Sequence, residues 1–138
     1  MMLNKKDREL IKKAKSLVSE KSIRGGFVKE VGCALITKKG RMFIGVNLDL
    51  ACGIGFCAEH TAISQMITKT DETHIKTIVS AKKNQVLPPC GRCRELMNLL
   101  DEKNMETEII MEHNKKMKLK ELLPHSWEVT DKSKCKVW

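Results

Sequence analysis

Two short stretches, Cys57-Ala58-Glu59 and Pro88-Pro89-Cys90-Gly91-Arg92-Cys93, decide how this chain is interpreted. Zinc in proteins is usually held by four ligands in a tetrahedron, and a catalytic zinc keeps one of the four positions for water. The two stretches offer three cysteine thiolates and one carboxylate that is not needed as a ligand. They therefore predict a catalytic zinc site that has its own proton carrier.

The composition of the chain is that of an ordinary folded protein. Hydrophobic residues make up 41% and charged residues 31% of the chain, which is typical of a globular protein. The length of 138 residues predicts a single domain over residues 1–138. No apolar run has the length of a membrane span, and the first residues lack the apolar core of a signal peptide. We therefore expect a cytoplasmic protein whose six cysteines are metal ligands or buried small residues, not disulfides.

A formal net charge of +9 raises nucleic acid as a possible partner. The excess is mostly lysine, scattered along the chain and interleaved with acidic residues. There is no tyrosine, and three phenylalanines and two tryptophans are a poor supply of surfaces on which bases could stack. We therefore predict a solvated lysine-rich surface and a small-molecule partner, with no nucleic acid and no membrane.

The order of predicted elements is helix, hairpin, helix, strand, helix and strand pair. Asn4 can cap the first helix, which is expected to end before Gly25. Further helices are expected over residues 57–69 and 91–102, and a short one over residues 120–123. Strands are expected over residues 31–37, 41–47, 75–81, 108–112 and 117–119. This order predicts an α/β fold with one mixed, five-stranded sheet and helices packed on its faces.

Both cysteine clusters lie where a loop enters a helix. Cys90 and Cys93 are three residues apart, so their sulfurs share one helical face, and Cys57 opens the other helix. Helix starts carry partial positive charge and unpaired N–H groups, which lower thiol pKa values and stabilise thiolates. Glu59, in the first turn after Cys57, can reach a zinc-activated water and act as base and then as acid.

The competing interpretation is a closed structural zinc site with a fourth ligand. The residues that could supply that ligand are Cys33, Cys52, His60 and Cys135. A structural site of four cysteines normally uses two Cys-x-x-Cys pairs, and only one pair is present here. The spacing therefore favours a catalytic zinc.

At these residues the chain resembles the zinc-dependent cytidine deaminase family, whose second signature is Pro-Cys-x-x-Cys. The Cys-Ala-Glu form of the first motif is similar to that of the small cytidine deaminases and their blasticidin-S deaminase relatives. Val31-Gly32-Cys33-Ala34 and Glu121-Leu122-Leu123-Pro124 add further matches. The resemblance implies a three-layer fold with helices on both faces of the sheet.

The resemblance also implies an activity and a set of catalytic residues. One zinc per chain would be held by Cys57, Cys90 and Cys93, with Glu59 as the proton shuttle. The expected reaction is hydrolytic deamination of cytidine or deoxycytidine to uridine or deoxyuridine plus ammonia, in pyrimidine salvage. Two alternatives stay open, which are a deaminase of an analogue such as blasticidin S, and a non-catalytic zinc or nucleic-acid-binding module.

Substrate-binding residues follow from the same resemblance. The backbone N–H of Ala58 would face the pyrimidine O2, while Asn47 and Asp49 match the Asn-x-Glu that holds the ribose. Trp127 would pack over the base from a neighbouring subunit of a homotetramer, or of a dimer. Phe56 is expected to line the pocket or to staple the helix start.

Four residues have a purely structural alternative or depart from the family pattern. Asn47 could be a turn residue, and Trp127 could serve in plain interface packing. Asp49 is one methylene shorter than the family's glutamate, and His60 stands where an arginine is usual. These departures touch the sugar and the metal charge, but not the predicted ligands or Glu59.

Overall fold

Residues 1–127, which the computed structural model describes, form one mixed sheet with helices on both of its faces. The helices are α1 (Lys5–Ser16), α2 (Ala58–Lys69), α3 (Gly91–Leu100) and α4 (Leu119–Leu122). The strands are β1 (Lys21–Ile23), β2 (Gly26–Thr37), β3 (Met42–Leu50), β4 (Gly55–Phe56), β5 (Ile75–Lys82), β6 (Gln85–Leu87), β7 (Glu108–Met111) and β8 (Lys115–Lys118). Among these residues no helix is long and apolar enough to cross a membrane.

The sheet has the strand order β4-β3-β2-β5-β7-β8, with β1 added to β2 and β6 added to β5. The pair β5–β7 is parallel and the other pairs are antiparallel, so the predicted mixed α/β sheet is confirmed. The predicted number of five strands is wrong, because the described residues form eight. The five predicted strands correspond to β2, β3, β5, β7 and β8, and the three others are only two or three residues long.

The first helix is shorter than predicted. Asn4 caps α1 as expected, and its side chain and that of Asp7 exchange two hydrogen bonds of 2.9 Å with each other's backbone N–H groups. The helix ends at Ser16 and not close to Gly25, and residues 21–23 form β1 against β2. The chain after α1 therefore returns to the sheet as an extended segment.

Alternate residues of β2 face opposite layers, as expected for a strand that is buried on both sides. Cys33 and Leu35 belong to the core that contains α2 and α3, whereas Ala34 belongs to the core that contains α1. The sheet therefore separates two apolar cores, which confirms the predicted three-layer arrangement.

Two glycines let the helices approach the sheet closely. A Cβ on Gly32 would stand 2.1 Å from the carbonyl oxygen of Ala14 in α1. A Cβ on Gly45 would stand 2.5 Å from the backbone nitrogen of Ala62 and 2.5 Å from Cβ of Thr61, both in α2. The height of α2 above β3 therefore depends on the missing side chain at Gly45.

Helix α2 also covers the edge of β3. The hydroxyl of Thr61 donates to the carbonyl of Val46 over 2.8 Å, and the side-chain oxygen of Gln65 accepts from the N–H of Ile44 over 3.0 Å. These backbone groups lie in the part of β3 that β4 does not reach. The helix that begins after Cys57 is thus bonded to the strand that carries Asn47.

A buried ion cluster fastens α1 to the far edge of the sheet. The ammonium of Lys116 in β8 lies 2.9 Å from Oδ2 of Asp7 and 2.8 Å from Oε2 of Glu108 in β7. The side chains of Lys116 and Asp7 are only 6% and 5% exposed, so neither charge is compensated by water. Burial opposes the charge of Lys116, but hydrogen bonds to Glu108 and Asp7 outweigh it and raise the pKa of the ammonium.

Candidate active site

The thiols of Cys57, Cys90 and Cys93 converge at the starts of two helices. Cys57 is the N-cap of α2 and Cys90 is the N-cap of α3, and neither side chain is used to cap its helix. The sulfur of Cys90 lies 3.5 Å from that of Cys57 and 3.5 Å from that of Cys93. All three sulfurs lie within 4.8 Å of one another, so the predicted convergence is confirmed.

This sulfur triangle fits a zinc ion. A Zn–S bond of about 2.3 Å in a tetrahedron places neighbouring sulfurs about 3.8 Å apart, close to the distances found here. Within residues 1–127, Cys33, Cys52 and His60 do not join the cluster, and Cys135 lies outside the described residues. The described ligand set is therefore three thiols, which agrees with a site that keeps a position for water.

The surroundings of the three thiols differ. Burial opposes ionisation of Cys90, but backbone N–H groups of Cys93 and Arg92 and the two neighbouring thiols outweigh it and lower the pKa of Cys90. The pKa of Cys57 is raised, mainly by burial and secondly by the neighbouring Cys90. The pKa of Cys93 is also raised, mainly by burial and secondly by the charge of Glu59. A bound zinc ion deprotonates coordinating thiols outright, so it would offset the effect of burial on Cys93 and on the half-buried Cys57.

Glu59 lies beside the thiols in the first turn of α2 and is only 5% exposed. The pKa values of Cys93 and of Cys33, on β2, are both raised. Burial is the main cause in each case, and the charge of Glu59 is the second. Glu59 is not a member of the metal-ligand cluster. The structure therefore places a buried carboxylate next to the sulfur triangle, where it can exchange protons with a molecule in the cavity.

A cavity of about 490 Å³ opens in front of the thiols and of Glu59. Its lining contains four further predicted site residues, which are Asn47, Asp49, Phe56 and Ala58. The lining also contains residues that the sequence patterns did not single out as ligand-binding, among them Glu30, Ser80, Lys82 and Leu87. This volume suits a small molecule of nucleoside size.

Trp127 lies apart from this cavity and is 61% exposed. Its N–H lies 3.4 Å from Oε2 of Glu95, and its carbonyl accepts from the side chain of Asn98 over 3.3 Å. These contacts place Trp127 against α3. The predicted packing over a base concerns a neighbouring subunit and stays a prediction.

Asn47 is bonded to a bulge in the adjacent strand. The register between β2 and β3 shifts between Val28 and Gly32. The side-chain oxygen of Asn47 accepts from the N–H groups of Glu30 and Val31, each over 2.9 Å, and its amide donates to Oε1 of Glu30 over 3.3 Å. Asn47 is therefore more than a turn residue. No signal in the sequence indicates Glu30, because the apolar pattern of the strand begins only at Val31.

Arg94 holds the loop that precedes Cys90 and Cys93. Its guanidinium donates to the carbonyl of Pro89 over 2.8 Å and to that of Leu122 over 2.9 Å. Arg94 therefore connects the segment before Cys90 to helix α4.

His60 lies beside Phe56, with 6.3 Å between the ring centroids. The pKa of its imidazole is lowered, mainly by burial and secondly by the charge of Arg92.

Comparison with known proteins agrees with this geometry. Residues 4–120 match the family model described as the cytidine and deoxycytidylate deaminase zinc-binding region. A cytidine deaminase of Halalkalibacterium halodurans is 35% identical over 69 residues, which are 49% of this chain and 52% of that protein. A probable cytidine deaminase of Dictyostelium discoideum is 33% identical over 67 residues, 47% of this chain and 46% of that protein. The chain thus spans about half the length of these curated relatives.

Solved structures extend the likeness to nearly the whole fold. The crystal structure of cytidine deaminase from Mycobacterium leprae has a TM-score of 0.72 and 27% identity, over 86% of this chain and 97% of that one. The enzyme from Burkholderia pseudomallei has a TM-score of 0.68 and 26% identity, over 87% and 98% of the two chains. The matching region is a zinc-binding one and contains the three clustered thiols, so the predicted zinc cofactor is confirmed.

Proposed function

Because the chain belongs to the cytidine and deoxycytidylate deaminase zinc-binding family, we propose that it hydrolyses the 4-amino group of a cytosine nucleoside. The products are uridine from cytidine, or deoxyuridine from deoxycytidine, together with ammonia. The observation that carries this proposal is the buried carboxylate of Glu59 beside three clustered thiols, in one cavity of about 490 Å³.

Each group at the metal end of the cavity has a role in this reaction. Cys57, Cys90 and Cys93 hold the zinc ion, which when bound supplies Lewis-acid activation of water. Glu59 accepts the proton that the water loses and delivers it to N3 of the ring. It then takes the proton of the hydroxyl formed at C4 and delivers it to the leaving amine, so that ammonia departs and a carbonyl remains. Its burial keeps bulk water from competing for these protons, and Glu59 serves in turn as base and acid.

The base is held by the start of α2 and by the cavity wall. Ala58 is the first residue of α2 and is completely buried, and the first N–H groups of a helix have no partner within the helix. The Ala58 N–H is therefore available for the pyrimidine O2. Phe56 lines the same cavity and offers an apolar surface beside the ring.

The sugar lies at the end of the cavity formed by β2 and β3. Asp49 lines this end and can accept a hydrogen bond from a hydroxyl group. The oxygen of Asn47 is used by the bulge, so Asn47 contributes the remaining hydrogen of its amide. Among substrates of the family, this end favours a neutral nucleoside.

A homotetramer, or a dimer, is the proposed assembly, with Trp127 contributed to a neighbouring subunit. Exposed apolar side chains near the cavity agree with such an interface, notably Phe27 at 44% and Ile54 at 66% exposed. Residues 1–138 act as one domain, in cytoplasmic pyrimidine salvage. Sedimentation of the purified protein tests the assembly.

Ammonia release from a panel of substrates tests the proposed activity. The zinc-loaded chain is incubated with cytidine, deoxycytidine, cytosine, cytidine 5′-monophosphate and blasticidin S. We expect the largest kcat/KM for cytidine or deoxycytidine. A protein with one zinc per chain that releases ammonia from none of them is not this enzyme, and would fit the non-catalytic zinc module. Activity on blasticidin S alone would establish the analogue-specific alternative.

A further inference from the structure

We infer that Glu30 determines substrate specificity, by accepting hydrogen bonds from the sugar hydroxyls of the nucleoside at the open end of the cavity. This inference rests on the proposed function, because it concerns the same cavity. Glu30 is half-buried, lines the cavity together with Asn47 and Asp49, and belongs to none of the sequence motifs.

The backbone places Glu30 in an unusual position. Lys29, the residue before it, has a φ of 61°, in the left-handed region that a long side chain rarely adopts. The conformation lies within the register shift between β2 and β3. A bulge of this kind re-aims a side chain, and backbone strain of this kind persists where the surroundings over-determine it, most often at ligand sites.

Asn47 fixes the bulge and acts as a positioning residue for Glu30. Two backbone N–H groups at 2.9 Å settle which end of the Asn47 amide is the oxygen. The amide nitrogen then donates to Oε1 of Glu30 over 3.3 Å. Only this one hydrogen bond reaches the Glu30 carboxylate from residues 1–127, so its other oxygen can accept from a ligand.

The chemistry of this end of the cavity selects for hydrogen-bond donors. The carboxylates of Glu30 and Asp49 can only accept, which suits sugar hydroxyls and repels a phosphate. Lys82 and Arg92 also line the cavity, but within the described chain no cation lies at ion-pair distance from Glu30. Asp49 is exposed and Glu30 is half-buried, so a bond to Glu30 is weakened less by water.

Glu30→Gln separates this role from a structural one. The Gln side-chain oxygen can still accept from Asn47, so the bulge is kept while the charge is removed. For cytidine we expect KM to rise about tenfold with little change in kcat, the size expected for losing a hydrogen bond to a charged group. KM for free cytosine should not change. The matched control is Glu20→Gln. Glu20 lies outside the cavity, in a neighbouring groove that Glu30 also lines, so this variant removes a nearby acid without changing the cavity.

Equilibrium binding gives a second readout that does not depend on turnover. In zinc-loaded protein, Glu30→Gln should weaken binding of uridine about tenfold and leave binding of uracil unchanged. Equal losses for uridine and uracil, or no loss for either, would overturn the role of Glu30. If the wild type releases no ammonia from the panel but binds uridine in a Glu30-dependent way, the proposed reaction fails while this inference stands.

Discussion

The sulfur of Cys57 lies 3.5 Å from the sulfur of Cys90, although the two residues are 33 positions apart in the chain. The contact joins the N-cap residues of two separate helices, and Cys93 completes the triangle. The metal site therefore depends on how α2 and α3 are held relative to each other, as well as on the three side chains.

Replacing one of these thiols should remove the metal. We expect Cys57→Ser or Cys90→Ser to weaken zinc binding by more than about tenfold, since even outer-shell changes cost that much. Zinc per chain, measured by mass spectrometry after dialysis against a weak chelator, checks this. Cys52→Ser is the matched control, because Cys52 is exposed and lies outside the cluster. Full zinc retention in Cys57→Ser would show that the metal is held elsewhere.

Glu59→Gln should keep the metal and lose turnover. The amide cannot take up the proton that the reaction releases, so kcat should fall about 100-fold or more. Zinc content and the melting temperature should stay close to those of the wild type. Loss of zinc in this variant would instead make Glu59 a ligand, contrary to its position outside the sulfur cluster.

Asp49→Ala should discriminate between substrates with and without a sugar. Removing the carboxylate deletes an acceptor for a hydroxyl, so KM for cytidine should rise about tenfold. KM for cytosine should change little, because the proposed position of the base is at the other end of the cavity. Initial rates of ammonia release with both substrates check this, and equal effects on the two would argue against a sugar contact.

Gly45→Ala should destabilise the fold through α2. The added methyl would stand 2.5 Å from atoms of Thr61 and Ala62, so the helix must move away from β3. Overpacking of this kind costs about 1–3 kcal/mol, which lowers the melting temperature by several degrees. Gly25→Ala is the matched control, since nothing lies within 4 Å of a Cβ there. An unchanged melting temperature in Gly45→Ala would mean that α2 adjusts without loss.

Lys116→Met should lower the free energy of unfolding at pH 7. The variant leaves the buried Asp7 carboxylate without its cation, and breaking such a pair costs about 3 kcal/mol or more. Urea unfolding of the variant and of Lys83→Met, which changes an exposed lysine, gives the comparison. Equal stability of the two would show that the ion cluster contributes nothing.

The same cluster predicts a loss of stability at alkaline pH. Because the pKa of Lys116 is raised above its ordinary value of 10.5, the folded state keeps the proton that the unfolded state releases. The stabilisation is complete below pH 10.5 and is lost as the pH rises through the raised pKa. The stability difference between wild type and Lys116→Met should therefore shrink above that pH.

The sequence predicts the residues of the metal site more completely than it predicts the strands around them. The residue types and local spacings of Cys57, Cys90, Cys93 and Glu59 indicate metal chemistry, because helix geometry brings Cys93 close to Cys90 and Glu59 close to Cys57. The meeting of the two helix starts depends on tertiary packing. The long strands were predicted from their apolar patterns. The strands β1, β4 and β6 were missed because two or three residues carry no periodicity, and they exist only through pairing with a longer neighbour.

Glu30 and the contacts of Asn47 could not be predicted for a different reason. The bulge depends on a side chain that bonds backbone groups 16 and 17 residues away, and nothing in either local sequence indicates that contact. A resemblance assigns Asn47 to the sugar, whereas the structure uses its oxygen for the backbone. Such roles follow from tertiary hydrogen bonds.

Helix α2, whose Thr61 and Gln65 bond to backbone groups of β3, also bears on how the protein behaves at high concentration. An uncovered strand edge is a template on which another chain can add a strand. The helix that begins after Cys57 therefore also protects this edge against intermolecular pairing. A chain in which α2 detaches, whether through metal loss or through a side chain at Gly45, would expose that edge and become prone to aggregation.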